Sequence, residues 1–342
     1  MLKTTAMIAA ALALLATCAF GFPASLVFGR VRRLRDAAAP TALPAQEEHK
    51  QAPLLGGLVL WLGIGFAFVT AFLLTNDQLS SNGYIGGWRA LSTMLGSAMA
   101  FGLVGLTVDC VRISRAELKI KTNWKDNLLF ILAQLCVAGL FLVQQAMNGS
   151  LGTMFCLPGI GWVDLGGWSW PVSMLLIIMT VNAVRITEEP DGLCVGSGFV
   201  AALVFLILAM LMLELEVPGD RYVTALFAAS VAGGCIGFLF WNFWPARLRP
   251  GSAGSMFLGG ALVSIAWGLG RPELLIFICA AYLLDGIGCL LKTLTRGRVC
   301  GFGAMHCGLV QLSWKRPALI WLGCGISLFG GMMAILSVFL YG

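Results

Sequence analysis

GFLFWNFWPARLRPGSAGSMFLGG, residues 237–260, is the stretch on which the fold turns. Two apolar segments of membrane-spanning length meet there at a short polar turn holding Arg247, Arg249, Pro245, Pro250 and the run Gly251-Ser252-Ala253-Gly254-Ser255. A glycine- and serine-rich turn that opens a helix presents backbone amides to an anion, so the pattern predicts a phosphate-facing loop between two spans.

The rest of the chain has the same character. Of its 342 residues 59% are hydrophobic and only 11% charged, too little polar surface to coat a soluble globule of this size. Windows of about 20 apolar residues recur from end to end. They predict an all-α polytopic membrane protein of about ten transmembrane helices, near 5–29, 54–75, 91–113, 127–147, 170–186, 193–216, 222–243, 253–270, 273–294 and 317–341. The first window runs past Pro23 to Val27 into a basic cluster, which is expected of a retained anchor helix and not of a cleaved signal peptide. The whole reads as one integral membrane domain over 1–342, with cytoplasmic loops at 30–53 and 295–316.

Charge sets the expected orientation. Of the 22 basic residues only Lys3, Arg89, Arg221 and Arg271 fall outside the odd-numbered loops, so those loops are expected in the cytoplasm and both termini outside. The net charge of +6 then follows from topology and anionic headgroups, and no nucleic-acid partner is expected. The fourth loop, from Asn148 to Ser169, carries Trp162 and Trp168, and with Trp170 just beyond it these read as interfacial aromatics or, alternatively, a small re-entrant helix. Most of the 11 cysteines lie within spans as small apolar residues, and the Cys300, His306, Cys307 spacing fits no standard zinc site.

Polar groups concentrate at four places, all on the expected cytoplasmic side: Asp109 in GLTVDCVRI, the segment NAVRITEEPDGL from Asn182 to Leu193, ARLRPGSAGS from Ala246 to Ser255, and GAMHCG from Gly303 to Gly308. Burying Asp109 or Arg185 near lipid is costly unless each faces a partner or water, so the four are expected to meet. Their chemistry suits a phosphate-rich ligand. Arg185, Arg247 and Arg249 pair with phosphate oxygens, Lys125 adds a point charge, and His306 relays a proton or holds a phosphate.

These segments also resemble, in order, those of the phospho-N-acetylmuramoyl-pentapeptide transferase family of polyprenyl-phosphate sugar-1-phosphate transferases. Leu54 to Gly57 resembles the family's Thr-Met-Gly-Gly, GLTVDCVRI its Gly-Phe-Val-Asp-Asp-Tyr, and TNWK ending at Lys125 its Arg-Trp-Lys. NAVRITEEPDGL is similar to Asn-Ala-Val-Asn-Leu-Thr-Asp-Gly-Leu-Asp-Gly-Leu, PGSAGS to the Gly-Asp-x-Gly-Ser loop, and GAMHCGLVQLSW to the last cytoplasmic loop with its histidine triplet. The resemblance implies transfer of a phospho-sugar from a UDP-linked donor to a polyprenyl phosphate, with magnesium, in peptidoglycan synthesis at the inner face of a bacterial-type plasma membrane. It also implies a homodimer. Carried over by position, Asp109, Glu188, Asp191 and His306 are the expected catalytic residues, with Asp109 and Asp191 toward the metal. Asn182, Arg185, Lys125, Asn242, Arg247, Ser252 and Gly254 are the expected substrate-binding residues.

The departures fall on the acids. Val108 replaces the first of two paired aspartates, Ser252 replaces the loop aspartate, and Arg185 stands where the family has asparagine. Losing two acids and gaining an arginine moves the local formal charge by about three units toward positive, which disfavours a divalent cation. Two functions remain open: an active transferase of the same class, or a non-catalytic relative that binds polyprenyl phosphate, a nucleotide sugar or a cell-wall partner. A transporter is the weaker third, since Asp109 alone is an intramembrane charge and lies near the end of its span.

Overall fold

The Gly-Ser turn opens the helix around which the others assemble. The computed structural model describes residues 2–38, 56–81, 86–117, 124–157, 161–188, 191–214, 220–294 and 316–341. In chain order the elements are α1 (Leu2–Ala38), α2 (Gly56–Ser81), α3 (Gly87–Glu117), α4 (Trp124–Met147), β1 (Met154–Leu157), β2 (Gly161–Asp164), α5 (Ser169–Ile186), α6 (Leu193–Glu214), α7 (Asp220–Asn242), α8 (Gly251–Gly268), α9 (Leu274–Ile278), α10 (Ala280–Leu294) and α11 (Arg316–Tyr341). The protein is almost wholly helical. Among the described residues, eight helices are long and apolar enough to cross a membrane. α8 and the pair α9–α10 occupy the two remaining expected positions, and the expected span 273–294 is interrupted at Cys279. α1 continues to Ala38, so the basic cluster after the first apolar run is helical up to that residue.

Every residue of α8 from Gly251 to Trp267 is buried. A helix apolar on all faces belongs inside a bundle, and the sequence GSAGSMFLGGALVSIAWG is small enough along its length to admit close neighbours. α3 packs along it most extensively, with α5 and α2 on other sides. Deep in that contact the hydroxyls of Ser97 and Ser264 lie 2.6 Å apart, a polar tie between α3 and α8. α7 stands against α1 and α6, and α11 closes the bundle on α6.

The N-terminal end of α8 is held by α2. Trp61 Nε1 donates to Ala253 O at 3.1 Å, and a Cβ on Gly254 would lie 2.8 Å from Gly57 Cα. Gly56 in turn packs on the carbonyl of Arg249. The paired glycines of the Leu54 to Gly57 motif thus seat the polar loop against the bundle.

In place of a re-entrant helix, the fourth loop forms an antiparallel ribbon of β1 and β2, followed by a 3₁₀ turn at Gly166–Trp168. Phe155, Trp162 and Val163 in these two short segments are residues that favour strand over helix. Trp162 and Trp168 are exposed, as interfacial aromatics would be, and Trp162 also covers the guanidinium of Arg271 at 4.7 Å. That arginine is buried against Glu273.

Candidate functional site

Asp109 sits near the last turns of α3 and is 1% exposed. Its Oδ2 accepts the Ala253 N–H at 2.9 Å. The first amides of a helix have no intrahelical partner and carry the positive end of its dipole, so the anion at the start of α8 is the protein's own carboxylate. Of the amides expected to face a phosphate, the Ala253 N–H is thus engaged by Asp109. The turn itself requires Gly251, whose φ of +65° is left-handed and favours glycine. Among the described residues, Oδ1 of Asp109 is buried without a hydrogen-bond partner.

Arg112 is one turn further along α3. Its Nη1 donates to Ser252 Oγ at 3.4 Å, so a guanidinium stands beside the serine that replaces the family's loop aspartate. Arg185, half-buried in the last turn of α5, has Arg112, Glu188 and Asp109 as electrostatic neighbours. Past the end of α5, Glu188 Oε2 accepts the Ser255 hydroxyl at 3.4 Å, and its main-chain carbonyl accepts Arg249 Nη2 at 3.2 Å. Burial, reinforced by the neighbouring Asp109 charge, pushes the Glu188 carboxyl up to about 7 against the pull of Arg249 and Arg112. Asp191 Oδ2 accepts the Ala246 N–H at 3.3 Å, and its Oδ1 lies 3.8 Å from Arg249 Nε.

Three expected islands therefore meet. Asp109, Arg185, Glu188, Asp191, Arg249 and Ser252 come together from α3, the α5–α6 connection and the α7–α8 loop. Other expected ligands have structural partners. Asn242 accepts the Gly192 N–H at 3.0 Å and donates to Leu248 O at 2.9 Å, pinning the Asp191 turn to the α7–α8 loop. Gly254 faces Gly57 across the α2–α8 contact. Asn182 exchanges hydrogen bonds with Gln134 of α4, at 2.6 Å and 3.4 Å. Arg247 is exposed, its main-chain N–H on Trp241 O at 2.8 Å. Lys125 lies in the first turn of α4 with its side chain outside the described residues, as is the whole of His306.

Arg112 and Ser255 lie within the expected polar segments, but sequence reasoning did not single them out as site residues. The signal was spacing: each follows a chosen residue, Asp109 or Ser252, by three positions on a helix and so shares its face.

The donor set does not fit magnesium. A magnesium site needs near-octahedral oxygen donors and usually one or two free carboxylates. Here the three acids engage an amide, a hydroxyl and a guanidinium, three arginines stand among them, and no group of three or more His, Cys, Asp or Glu among the described residues is placed to hold a metal. What the arrangement offers is guanidinium donors for phosphate oxygens.

The fold and site together define a polytopic helical bundle with acids and arginines gathered where α3 ends and α8 begins. Residues 91–270 match the family model described as glycosyl transferase family 4, and the chain belongs to that family. It is 29% identical over 291 residues to the phospho-N-acetylmuramoyl-pentapeptide-transferase of Heliobacterium modesticaldum, covering 83% of each chain. The enzyme of the same name from Solidesulfovibrio magneticus is 31% identical over 258 residues, 71% of this chain and 67% of that one. The one from Clostridioides difficile is 25% identical over 293 residues, 84% of each.

Proposed function

We propose that this protein is a phosphate-recognising member of the family that binds polyprenyl phosphate and a UDP-linked sugar at the cytoplasmic face of a bacterial plasma membrane without performing magnesium-assisted transfer. The observation that carries the reading is the Ser252–Arg112 contact beside Asp109. Where an acid would hold a cation, a guanidinium stands, and the remaining acid caps α8. Arg112, Arg185 and Arg249 then contact phosphate oxygens directly, while Asp109, Glu188 and Asp191 fix the loops that position them. A metal-free guanidinium site binds and orients a diphosphate but lacks the chelated cation that would screen two approaching phosphates during transfer.

The test is a thermal-unfolding titration of the detergent-purified protein with UDP-sugars and a short polyprenyl phosphate, alongside a UMP-release assay. A ligand selective for the folded state raises the midpoint. The expected result is a rise that is equal with magnesium or a chelator, is lost in Arg249→Ala, and comes without UMP release. Magnesium-dependent UMP release above an empty-membrane control would refute the reading in favour of an active transferase, and no midpoint shift with any ligand would remove the binding site altogether.

A further inference from the structure

Opposite the Asp109 cluster, where α3 begins and α8 ends, lies a cavity of about 130 Å³. Arg89 and Asp109 are both on α3, twenty residues and so roughly 30 Å apart along its axis. The cavity is lined by Met94 and Trp267 together with the polar residues Arg89, Gln145, Asn148 and Ser150. Among the described residues neither Asp nor Glu lines it.

Two polar side chains there have no side-chain hydrogen bond or ion pair with another described residue. Gln145 is 5% exposed, and no described residue makes a hydrogen bond to its carboxamide. Gln145 lines the cavity, so its carboxamide is available to a ligand there. Arg89 is exposed and has no carboxylate within ion-pair reach among the described residues. The first turn of α3 also borders the cavity, which places the positive end of a 31-residue helix beside the same space. A single water needs only ~10–15 Å³, so the cavity is built for more than one solvent molecule.

From these observations we infer that the cavity binds a phosphate group, held by the Arg89 guanidinium and the Gln145 amide, at the end of the bundle opposite the Asp109 cluster. An uncompensated guanidinium, a buried amide donor and a helix start all favour an oxyanion with several acceptor oxygens. The phosphate is either that of a membrane phospholipid, whose headgroup lies at the depth where spans end, or a soluble ion.

Two arms separate the sources. In the first, native mass spectrometry of the detergent-purified full chain measures retention of dioleoyl phosphatidylglycerol against the matched diacylglycerol, which lacks phosphate. In the second, thermal unfolding is followed in inorganic phosphate against chloride at equal ionic strength. Arg89→Ala removes an exposed side chain and Gln145→Leu keeps the buried volume, so both variants are expected to fold, which their elution as single species checks. With a lipid as ligand, the wild type retains phosphatidylglycerol at least about tenfold over diacylglycerol and each variant loses most of that preference. With a soluble ion, phosphate alone raises the wild-type midpoint and neither variant responds. Arg249→Ala keeps either behaviour, which separates this site from the proposed one. Equal retention of both lipids together with no phosphate effect, or responses identical in wild type and both variants, would overturn the inference.

Discussion

The carboxylate of Asp109 on α3 and the main-chain amide of Ala253 on α8 are 2.9 Å apart, and that one bond joins the two most extensively packed helices at the polar end of the bundle. Asp109 does for α8 what an N-cap residue does for its own helix. Replacing it with alanine removes the acceptor from a buried helix start and is expected to destabilise by about 1–2 kcal/mol. Asp109→Asn keeps an acceptor oxygen and should cost less. Thermal unfolding in detergent ranks the two, and an alanine variant as stable as wild type would show that the cap carries no weight.

Gly57 and Gly254 set how closely α2 approaches that same helix start. A side chain on Gly57 would strike the Gly254 amide nitrogen, which is backbone and cannot swing aside. Gly57→Leu should therefore lower the yield of monodisperse protein and cost about 1–3 kcal/mol or more, as overpacking does. Gly65, whose built Cβ meets only Leu95 Cδ1 at 3.8 Å, is the control site, where alanine is expected to be tolerated.

Arg249 ties the Glu188 carbonyl and the Asp191 carboxylate to the α7–α8 loop. Arg249→Ala leaves a buried carboxylate short of its cation and is expected to cost about 2–3 kcal/mol. Arg249→Lys should recover only part, because an ammonium lacks the planar fork that reaches both partners. Equal midpoints for Arg249→Lys and the wild type would mean that charge alone suffices.

Glu188 makes stability depend on pH. Its folded carboxyl is raised from 4.5 to about 7, so the folded state holds a proton that the unfolded chain releases. That contribution is complete below about pH 4.5, falls as pH rises through 7 and is absent above. Glu188→Gln should flatten the profile of unfolding midpoint between pH 4.5 and 7, and above pH 7 should be more stable than wild type. An unchanged slope across that window would exclude Glu188 as the titrating group.

Ser252→Asp restores the acid that the family pattern has at this position, next to Arg112 Nη1, which is 3.4 Å from the present hydroxyl. The new carboxylate is expected to pair with Arg112 and leave magnesium without effect on the unfolding midpoint. Ser252→Asp combined with Arg112→Ala and Arg185→Asn removes two competing cations and is expected to show a magnesium-dependent rise. A rise in the single variant would mean that the arginines do not block the metal.

Much of the fold was legible because a membrane-length helix has a strong compositional signal. All ten expected positions are helical in the structure. The β1–β2 ribbon was not legible, since four-residue strands give too few alternations to separate from loop. The site was legible in part. Asp109, Glu188, Asp191 and Arg249 were found as polar residues in apolar surroundings, where burial without partners is costly. Asn242 and Gly254 were expected at a ligand; that Asn242 bonds Gly192 and that Gly254 faces Gly57 was not legible, because these contacts join segments far apart in sequence.

The sequence by itself determined that the chain is a helical membrane bundle with acids and arginines at loop ends, because hydrocarbon tolerates only long apolar helices and drives charge to their termini. It also determined which acids are missing. Only the tertiary structure decided what the remaining ones touch. Whether the amides opening α8 meet a ligand or Asp109 depends on how α3 lies against α8, and that crossing is set by side-chain packing between helices, which no local pattern records.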